Sequence, residues 1–331
     1  MKSQGPEDQE PPRSHKGSND HPDVLMIGSY PSWDMEILDA SYKIHRLWDA
    51  PDRAAFLADR AGRIRAIATR GELGAKGDLI AALPKLEIIA CYGVGTDAID
   101  LAAARKRRIP VTNTPDVLTG DVADIAVGLA LSIMRRIPQA DTHVRSGAWA
   151  RRSMDLVTRL YGKRVGIAGF GRIGTTVATR LSGFDVEIGY FDVAARQNDP
   201  RTYFKDLVAL AAWSDVLIAT LAGGPSTEKI LNAPVFEALG PDGFFINVSR
   251  GSTVDEPALL DALEGRRIAG AGLDVFWNEP NIDPRFLALD NIVLQPHHAS
   301  GTVETRKAMG QLVRENLAAH FSGRPLLTPV A

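Results

Sequence analysis

From Val24 to the last third of the chain, short β-branched runs alternate with amphipathic or turn-rich stretches, and this alternation limits the fold more than any other feature. VLMIG, KIHRL, IRAIAT, LEIIACYG and a short PVTN make a first series. RVGIAGFG, VEIGYFD, VLIAT, FFINVS, IAGAGLDV and IVLQPH make a second, starting at Arg164. Strands separated by helical stretches are what parallel βαβ units require. Most runs of the second series are too uniformly apolar to face water on either side, so they read as buried parallel strands. The length of 331 residues suits about two domains at roughly 150 residues each. An α/β chain with two sheets is therefore expected.

The segment between the series, Asp121 to Arg136, reads as an interdomain helix: Thr119-Gly120-Asp121 offers a cap and Arg135-Arg136 suits the negative end of the helix dipole. After Ser300, TVETRKAMGQLVRENLAAHFSG has helical periodicity and is expected to return to the first domain. Residues 1–20, rich in proline and charge, read as a solvated, disordered tail without the apolar core of a signal peptide. The longest apolar run, Ile125 to Met134, is about half the ~20 residues that cross a bilayer, so no membrane span is expected. The charges nearly cancel, 38 basic against 40 acidic, which argues against nucleic acid and for a small-molecule or protein partner. A single cysteine, Cys91, excludes an internal disulfide and a cysteine-based zinc cluster. No metal is expected, and a reducing cytoplasmic setting is.

Gly169-Phe170-Gly171-Arg172-Ile173-Gly174 follows RVGIA directly and opens a helical stretch. In that context Gly169 permits a tight turn, Gly171 lets the backbone approach a pyrophosphate, Gly174 brings helix against sheet, and the helix N-terminus stabilises the anion. Alone the pattern is equally a tight strand-to-helix connection. Asp192, 18 residues past Gly174 at the end of VEIGYFD, shifts the balance, because a carboxylate there can accept both ribose hydroxyls of an adenosine. The same carboxylate would meet a 2′-phosphate with a repulsion of roughly 4 kcal/mol at ~4 Å and an effective dielectric near 20. NAD(H) is favoured; Arg196 leaves NADP(H) possible.

Three later segments place a polar residue at or near the C-terminal end of a predicted strand, where open α/β sheets gather ligands: Arg250 in NVSRG, Glu279 in FWNEP and His297 in QPHHAS. Taken singly, each has an ordinary explanation as a turn arginine, a surface acid and a loop histidine. Together they supply a guanidinium to hold a carboxylate or polarise a ketone, an imidazole to protonate a developing alkoxide, and a carboxylate to set the imidazole tautomer. Those are the groups that reduction of a 2-keto acid by a bound nicotinamide needs.

RIPVTNTPDVLTGDVADIAVGLAL, GKRVGIAGFGRIG, FFINVSRGSTVDEPALLDAL, GAGLDVFWNEP and LQPHHASGTVETRK occur in this order. In this set the chain resembles the D-isomer-specific 2-hydroxyacid dehydrogenases over nearly its whole length after the tail. ALPKLEII, VTNTPDVLT, GTVETRK and the terminal LLTPV look most like the hydroxyphenylpyruvate and glyoxylate/hydroxypyruvate reductase branch. The resemblance implies two Rossmann-like doubly wound parallel-sheet domains with a cleft between them. The first, flavodoxin-like and discontinuous, would comprise residues 21–113 and 300–331, and the NAD-binding domain residues 114–299. It further implies Arg250 as the substrate-binding arginine, His297 as acid/base and Glu279 as its partner. Asp274 would meet the nicotinamide amide, and Arg172-Ile173 and Val248-Ser249 would line the dinucleotide. Val94 and Gly95 would cradle the substrate carboxylate, Thr69-Arg70-Gly71 would form a further wall, and the chain would be a homodimer.

Two departures qualify the resemblance. NADPH-using reductases of that branch typically carry a serine-arginine run where this chain has Asp192-Val193-Ala194, in agreement with the charge argument. The residue after the catalytic histidine is usually apolar, whereas here it is His298, read as packing or supporting His297. Formate oxidation is disfavoured because glutamine takes the place of Glu279 there, and nothing resembles the regulatory extension of phosphoglycerate dehydrogenases. An NAD-sensing corepressor of the same architecture remains the alternative from another class. The substrate side-chain pocket is expected near the Thr69 loop, Trp149 and Met154, with Trp149 equally a domain-packing anchor.

Overall fold

The computed structural model describes residues 21–330; the expected tail lies outside them. The first five runs form one parallel sheet of β1 (Asp23–Met26), β2 (Lys43–Arg46), β3 (Ala66–Arg70), β4 (Ile88–Tyr92) and β5 (Val111–Thr112), ordered β2-β1-β3-β4-β5. The second series forms a parallel sheet of seven, β6 (Arg164–Ala168), β7 (Glu187–Phe191), β8 (Thr202–Phe204), β9 (Val216–Ala219), β10 (Phe244–Asn247), β11 (Gly270–Leu273) and β12 (Ile292–Leu294), ordered β12-β11-β10-β9-β6-β7-β8. The order reverses beside β6, the topological switch point where open sheets hold ligands at their strand C-termini. The uniformly apolar runs are central: β9, β10 and β11 are buried at every residue.

Six strands are expected in the second sheet and seven are present. The seventh, β8, is a three-residue edge strand pairing only with β7, partly exposed and too short to show alternation.

The interdomain helix spans Thr119–Arg135 and buries Val122, Ala123, Ala126, Val127, Leu129, Ala130, Ile133 and Met134. That small-residue face lies on β10, β11 and the helix Arg172–Leu181. Its start corrects the expected cap: the N-cap is Leu118, no side chain caps it, and Asp121 lies within the first turn. There Asp121 accepts a hydrogen bond from Thr302 Oγ1 at 2.5 Å. Thr302 in turn accepts from the Thr305 amide and caps the last helix, Val303–Phe321. This helix lies on β4, so the chain's end returns to the first sheet. The fold is thus two parallel-sheet α/β units. Among the described residues no helix is long and apolar enough to cross a membrane.

Candidate active site

The glycine loop leaves β6 as the motif requires. Gly169 has φ +92°, and a Cβ there would lie 2.8 Å from the Leu221 amide nitrogen. A Cβ on Gly174 would lie 2.2 Å from the Gly169 carbonyl oxygen, so only glycine lets the helix start this close to the strand. Gly171, the N-cap of Arg172–Leu181, faces open space: a Cβ there meets nothing within 4 Å. A helix N-terminus with free room above a side-chain-less residue fits a pyrophosphate. Asp192 directly follows β7, its Oδ2 accepting the Phe170 amide at 2.9 Å and its Oδ1 the Val193 amide at 2.7 Å. The carboxylate is thereby aimed at the loop, with a second lone pair left on each oxygen. Ile173 packs on the core, while Arg172 is exposed and pairs with Asp116 at 2.9 Å.

Arg250, Glu279 and His297 follow three neighbouring strands, β10, β11 and β12, at their C-terminal ends. A continuous chain of contacts joins them. A Cβ on Gly251, next to Arg250, would lie 1.9 Å from the Phe276 carbonyl carbon, so the two turns touch. Phe276 donates its amide to Glu279 Oε1 at 2.8 Å, and Glu279 Oε2 stands 2.6 Å from His297 Nδ1. The His297 and Glu279 side chains are 34% and 24% exposed, enough to reach a ligand while held by protein.

His297 adopts φ +51°, a left-handed conformation unfavourable for a residue with a Cβ. Asp274 holds this bend. Its carbonyl accepts the His297 amide at 2.8 Å, and its carboxylate accepts the amides of His298 at 2.7 Å and Ala299 at 3.0 Å. Asp274 is almost fully buried, and burial raises its pKa although the two amides pull it down. Resemblance implied a cofactor contact for Asp274; in the structure its carboxylate clamps the histidine loop.

Arg250 crosses to the first sheet. Its Nε donates to Asp97 Oδ1 at 3.2 Å, and a Cβ on Gly95 would lie 1.6 Å from Nη2. The Val94-Gly95 loop and Arg250 are therefore brought together. Its Nη1 donates to the Ser249 carbonyl at 2.8 Å. Val248 and Ser249 are themselves buried, the Ser249 hydroxyl donating to Asn247 Oδ1 at 2.6 Å.

Thr69 is the predicted site residue whose side chain does not reach the site. It is fully buried and donates its hydroxyl to the Gly74 carbonyl at 2.7 Å, so it stabilises its own loop. Trp149 is 68% exposed, in the turn Ala148–Ala150. Trp149 and Met154 do not line the cleft beside Arg70 and His298, which is built from Tyr30, Trp33, Tyr92 and Arg306 instead. The sequence offered no role for Asp97, although it sits two residues after Gly95 in the loop already singled out; nearby, Glu256 Oε1 accepts the Trp277 amide at 2.5 Å. Cys91 is buried, its thiol pushed up to about 12 by burial, an inert core residue. Among the described residues no cluster of histidine, cysteine and carboxylates could hold a metal.

Comparison with known proteins adds to this geometry. The profile described as D-isomer specific 2-hydroxyacid dehydrogenase, NAD binding domain, matches residues 127–299. Hydroxyphenylpyruvate reductase of Plectranthus scutellarioides is 48% identical over 307 residues, 93% of this chain and 98% of that protein. 2-Ketogluconate reductase of Gluconobacter oxydans is 47% identical over 309 residues, 93% and 98% of the two chains. The NADPH-dependent glyoxylate/hydroxypyruvate reductase of Sinorhizobium meliloti, solved with NADP and malonate, superposes with TM-score 0.88 at 45% identity, covering 94% of this chain and 97% of that one. The chain belongs to the D-isomer-specific 2-hydroxyacid dehydrogenase family, a 2-keto acid reductase with the family's NAD-binding domain that acts on the CH–OH group.

Proposed function

We propose that this chain reduces 2-keto acids of the glyoxylate, hydroxypyruvate or aryl-pyruvate type with NADH, using Arg250 to bind substrate, His297 as acid/base and Glu279 as its partner. The observation that carries this reading is the 2.6 Å His297–Glu279 pair, joined by contact to the turn that sends Arg250 across the cleft. The Arg250 guanidinium, close against the Gly95 backbone, would hold the substrate carboxylate with the Val94-Gly95 loop, and its bond to Asp97 would fix the direction in which it points. With Glu279 accepting from Nδ1, the transferable proton of His297 is on Nε2, where it can pass to the developing alkoxide. The dinucleotide would be held by Gly169, Gly171, Gly174 and Asp192, with Arg172, Ile173 and the Val248-Ser249 backbone along its path. When bound it supplies the hydride. Closure of residues 21–113 and 300–331 over residues 114–299 would exclude water from the reacting atoms.

Asp192 supports NADH over NADPH, since its carboxylate already faces the loop. The assembled His297–Glu279 pair favours catalysis over a sensing corepressor, which needs no proton donor. A homodimer is supported by the exposed apolar side chains of the segment that joins β5 to β6, Ile137, Val144, Trp149, Leu156 and Tyr161. The near-neutral charge supports a small-molecule partner rather than nucleic acid, and one buried cysteine suits the cytoplasm. The test is oxidation of NADH with glyoxylate, hydroxypyruvate and phenylpyruvate. Turnover with at least one supports the reading, and none with any 2-keto acid favours sensing.

A further inference from the structure

The Arg250–Asp97 pair touches two residues that have no side chain, one from each sheet. In the loop after β4 stands Gly95, where a Cβ would lie 1.6 Å from Arg250 Nη2 and 2.7 Å from Asp97 Oδ1. In the loop after β9 stands Gly223, where a Cβ would lie 2.9 Å from Arg250 Cγ, 3.1 Å from Asp97 Cγ and 3.2 Å from Asp97 Oδ2. Gly223 lies outside the Gly169–Gly174 motif and outside the Val94-Gly95 loop. Its contacts are nevertheless with both members of the ion pair that crosses the cleft.

A glycine at 223 is required for space and not for backbone angle. Its neighbour Gly224 has φ +147°, which residues with a Cβ rarely adopt, whereas Gly223 takes no such conformation. Carbon atoms in contact rest about 3.5–4.0 Å apart, so a methyl group at 223 forces something to move. The loop itself is tied on both sides. The Thr227 hydroxyl donates to the Ala222 carbonyl at 2.6 Å, and the Thr227 amide to the Gly224 carbonyl at 3.1 Å, which closes a turn around Gly223. Just beyond, the Lys229 amide donates to the Ser252 carbonyl at 2.8 Å and fastens the segment to the turn that carries Arg250. A side chain at 223 therefore displaces the Arg250–Asp97 pair. Arg250 gives Nε to Asp97 and Nη1 to the Ser249 carbonyl, so Nη2, against Gly95, is the end left for a substrate carboxylate.

We infer that Gly223 is a positioning residue for the substrate arginine: its missing side chain makes the room in which Asp97 reaches Arg250, and so fixes where Nη2 stands against Gly95. The inference rests on the reductase reading and deepens it. Acting through Arg250, Gly223 governs substrate binding and not proton transfer at His297.

The test is a double-mutant cycle of wild type, Gly223→Ala, Asp97→Ala and the double variant, read as kcat and KM with NADH and glyoxylate or hydroxypyruvate, and as NADH affinity by fluorescence titration. Gly223→Ala is expected to raise KM about tenfold, with kcat within about threefold of wild type and NADH affinity unchanged, as loss of uniform binding does. In the Asp97→Ala background the overlap with Asp97 is gone and Arg250 can yield, so the same substitution should raise KM by less than about twofold, since side chains in contact couple whereas independent sites add. Equal KM factors in the two backgrounds, or KM unmoved while kcat or NADH affinity falls, would overturn the inference. Should Gly223→Ala not fold by itself, the double variant is expected to fold, and its failure would count equally against the inference. In each of these cases turnover by the wild type keeps the reductase reading intact. No NADH oxidation by the wild type with any 2-keto acid would overturn both.

Discussion

Arg250, just past the end of β10, donates from Nε to Asp97 Oδ1 at 3.2 Å, and Asp97 lies in the loop that follows β4 of the other sheet. The guanidinium proposed to bind substrate is thus oriented by a carboxylate from the opposite side of the cleft, with both side chains about a quarter exposed. Replacing Arg250 by Lys keeps the charge and removes the fork that matches a carboxylate. We expect kcat/KM for any 2-keto acid to fall about 10²-fold or more, with KM rising while NADH affinity, read by fluorescence titration, stays put. Asp97→Asn should raise KM by a smaller factor. Unchanged KM in both variants would mean that the carboxylate binds elsewhere.

Asp274 accepts two backbone amides of the loop that carries His297 through its left-handed bend. Asp274→Ala leaves both amides without acceptors, and urea melts should show a loss of about 1–3 kcal/mol. A falling kcat should accompany it, because the imidazole is no longer held. A variant as stable and as active as the wild type would remove Asp274 from the site.

Glu256 is raised above the ordinary carboxylate range chiefly by burial, which outweighs the Trp277 amide bonded to it. A raised acid favours the fold while protonated, so its contribution is complete below the unfolded value, near about 4.3, and is lost as pH rises through the folded one. Glu256→Gln keeps an acceptor for Trp277 and removes the titration. The variant should gain in melting temperature relative to the wild type as pH climbs from about 4 towards neutrality. A difference that shrinks or reverses with rising pH would contradict this.

Asp192 faces the glycine loop, with Arg196 at 5.6 Å from the Phe170 ring centroid nearby. Asp192→Ala removes the like charge and leaves that cation in reach of a 2′-phosphate, so the NADPH-to-NADH ratio of kcat/KM should rise by at least tenfold, part of the roughly 4 kcal/mol repulsion at ~4 Å. Arg196→Ala in the same background should take back much of the gain. A ratio indifferent to position 192 would show that the carboxylate is not beside the ribose.

The sheets were legible because buried parallel strands must be uniformly apolar and because glycine at 169 and 174 leaves no steric substitute. The triad residues were legible through the strands that precede them. Other features left no local trace. The edge strand β8 is too short to show alternation, and the helix expected to be capped at Thr119 to Asp121 has Leu118 as its N-cap, with Asp121 bonded to Thr302 far along the chain. The partnership of Asp97 with Arg250, the burial of the Thr69 hydroxyl and the lining of the cleft by Trp33 and Arg306 are tertiary facts. They depend on which loops the two sheets bring face to face.

The most direct test of the account is steady-state NADH oxidation with glyoxylate and hydroxypyruvate by the wild type and by His297→Asn, alongside NADH titration of both. The account predicts turnover by the wild type and a fall in kcat of about 10²- to 10⁴-fold in the variant, with NADH affinity unchanged. Near-normal turnover in His297→Asn would contradict it.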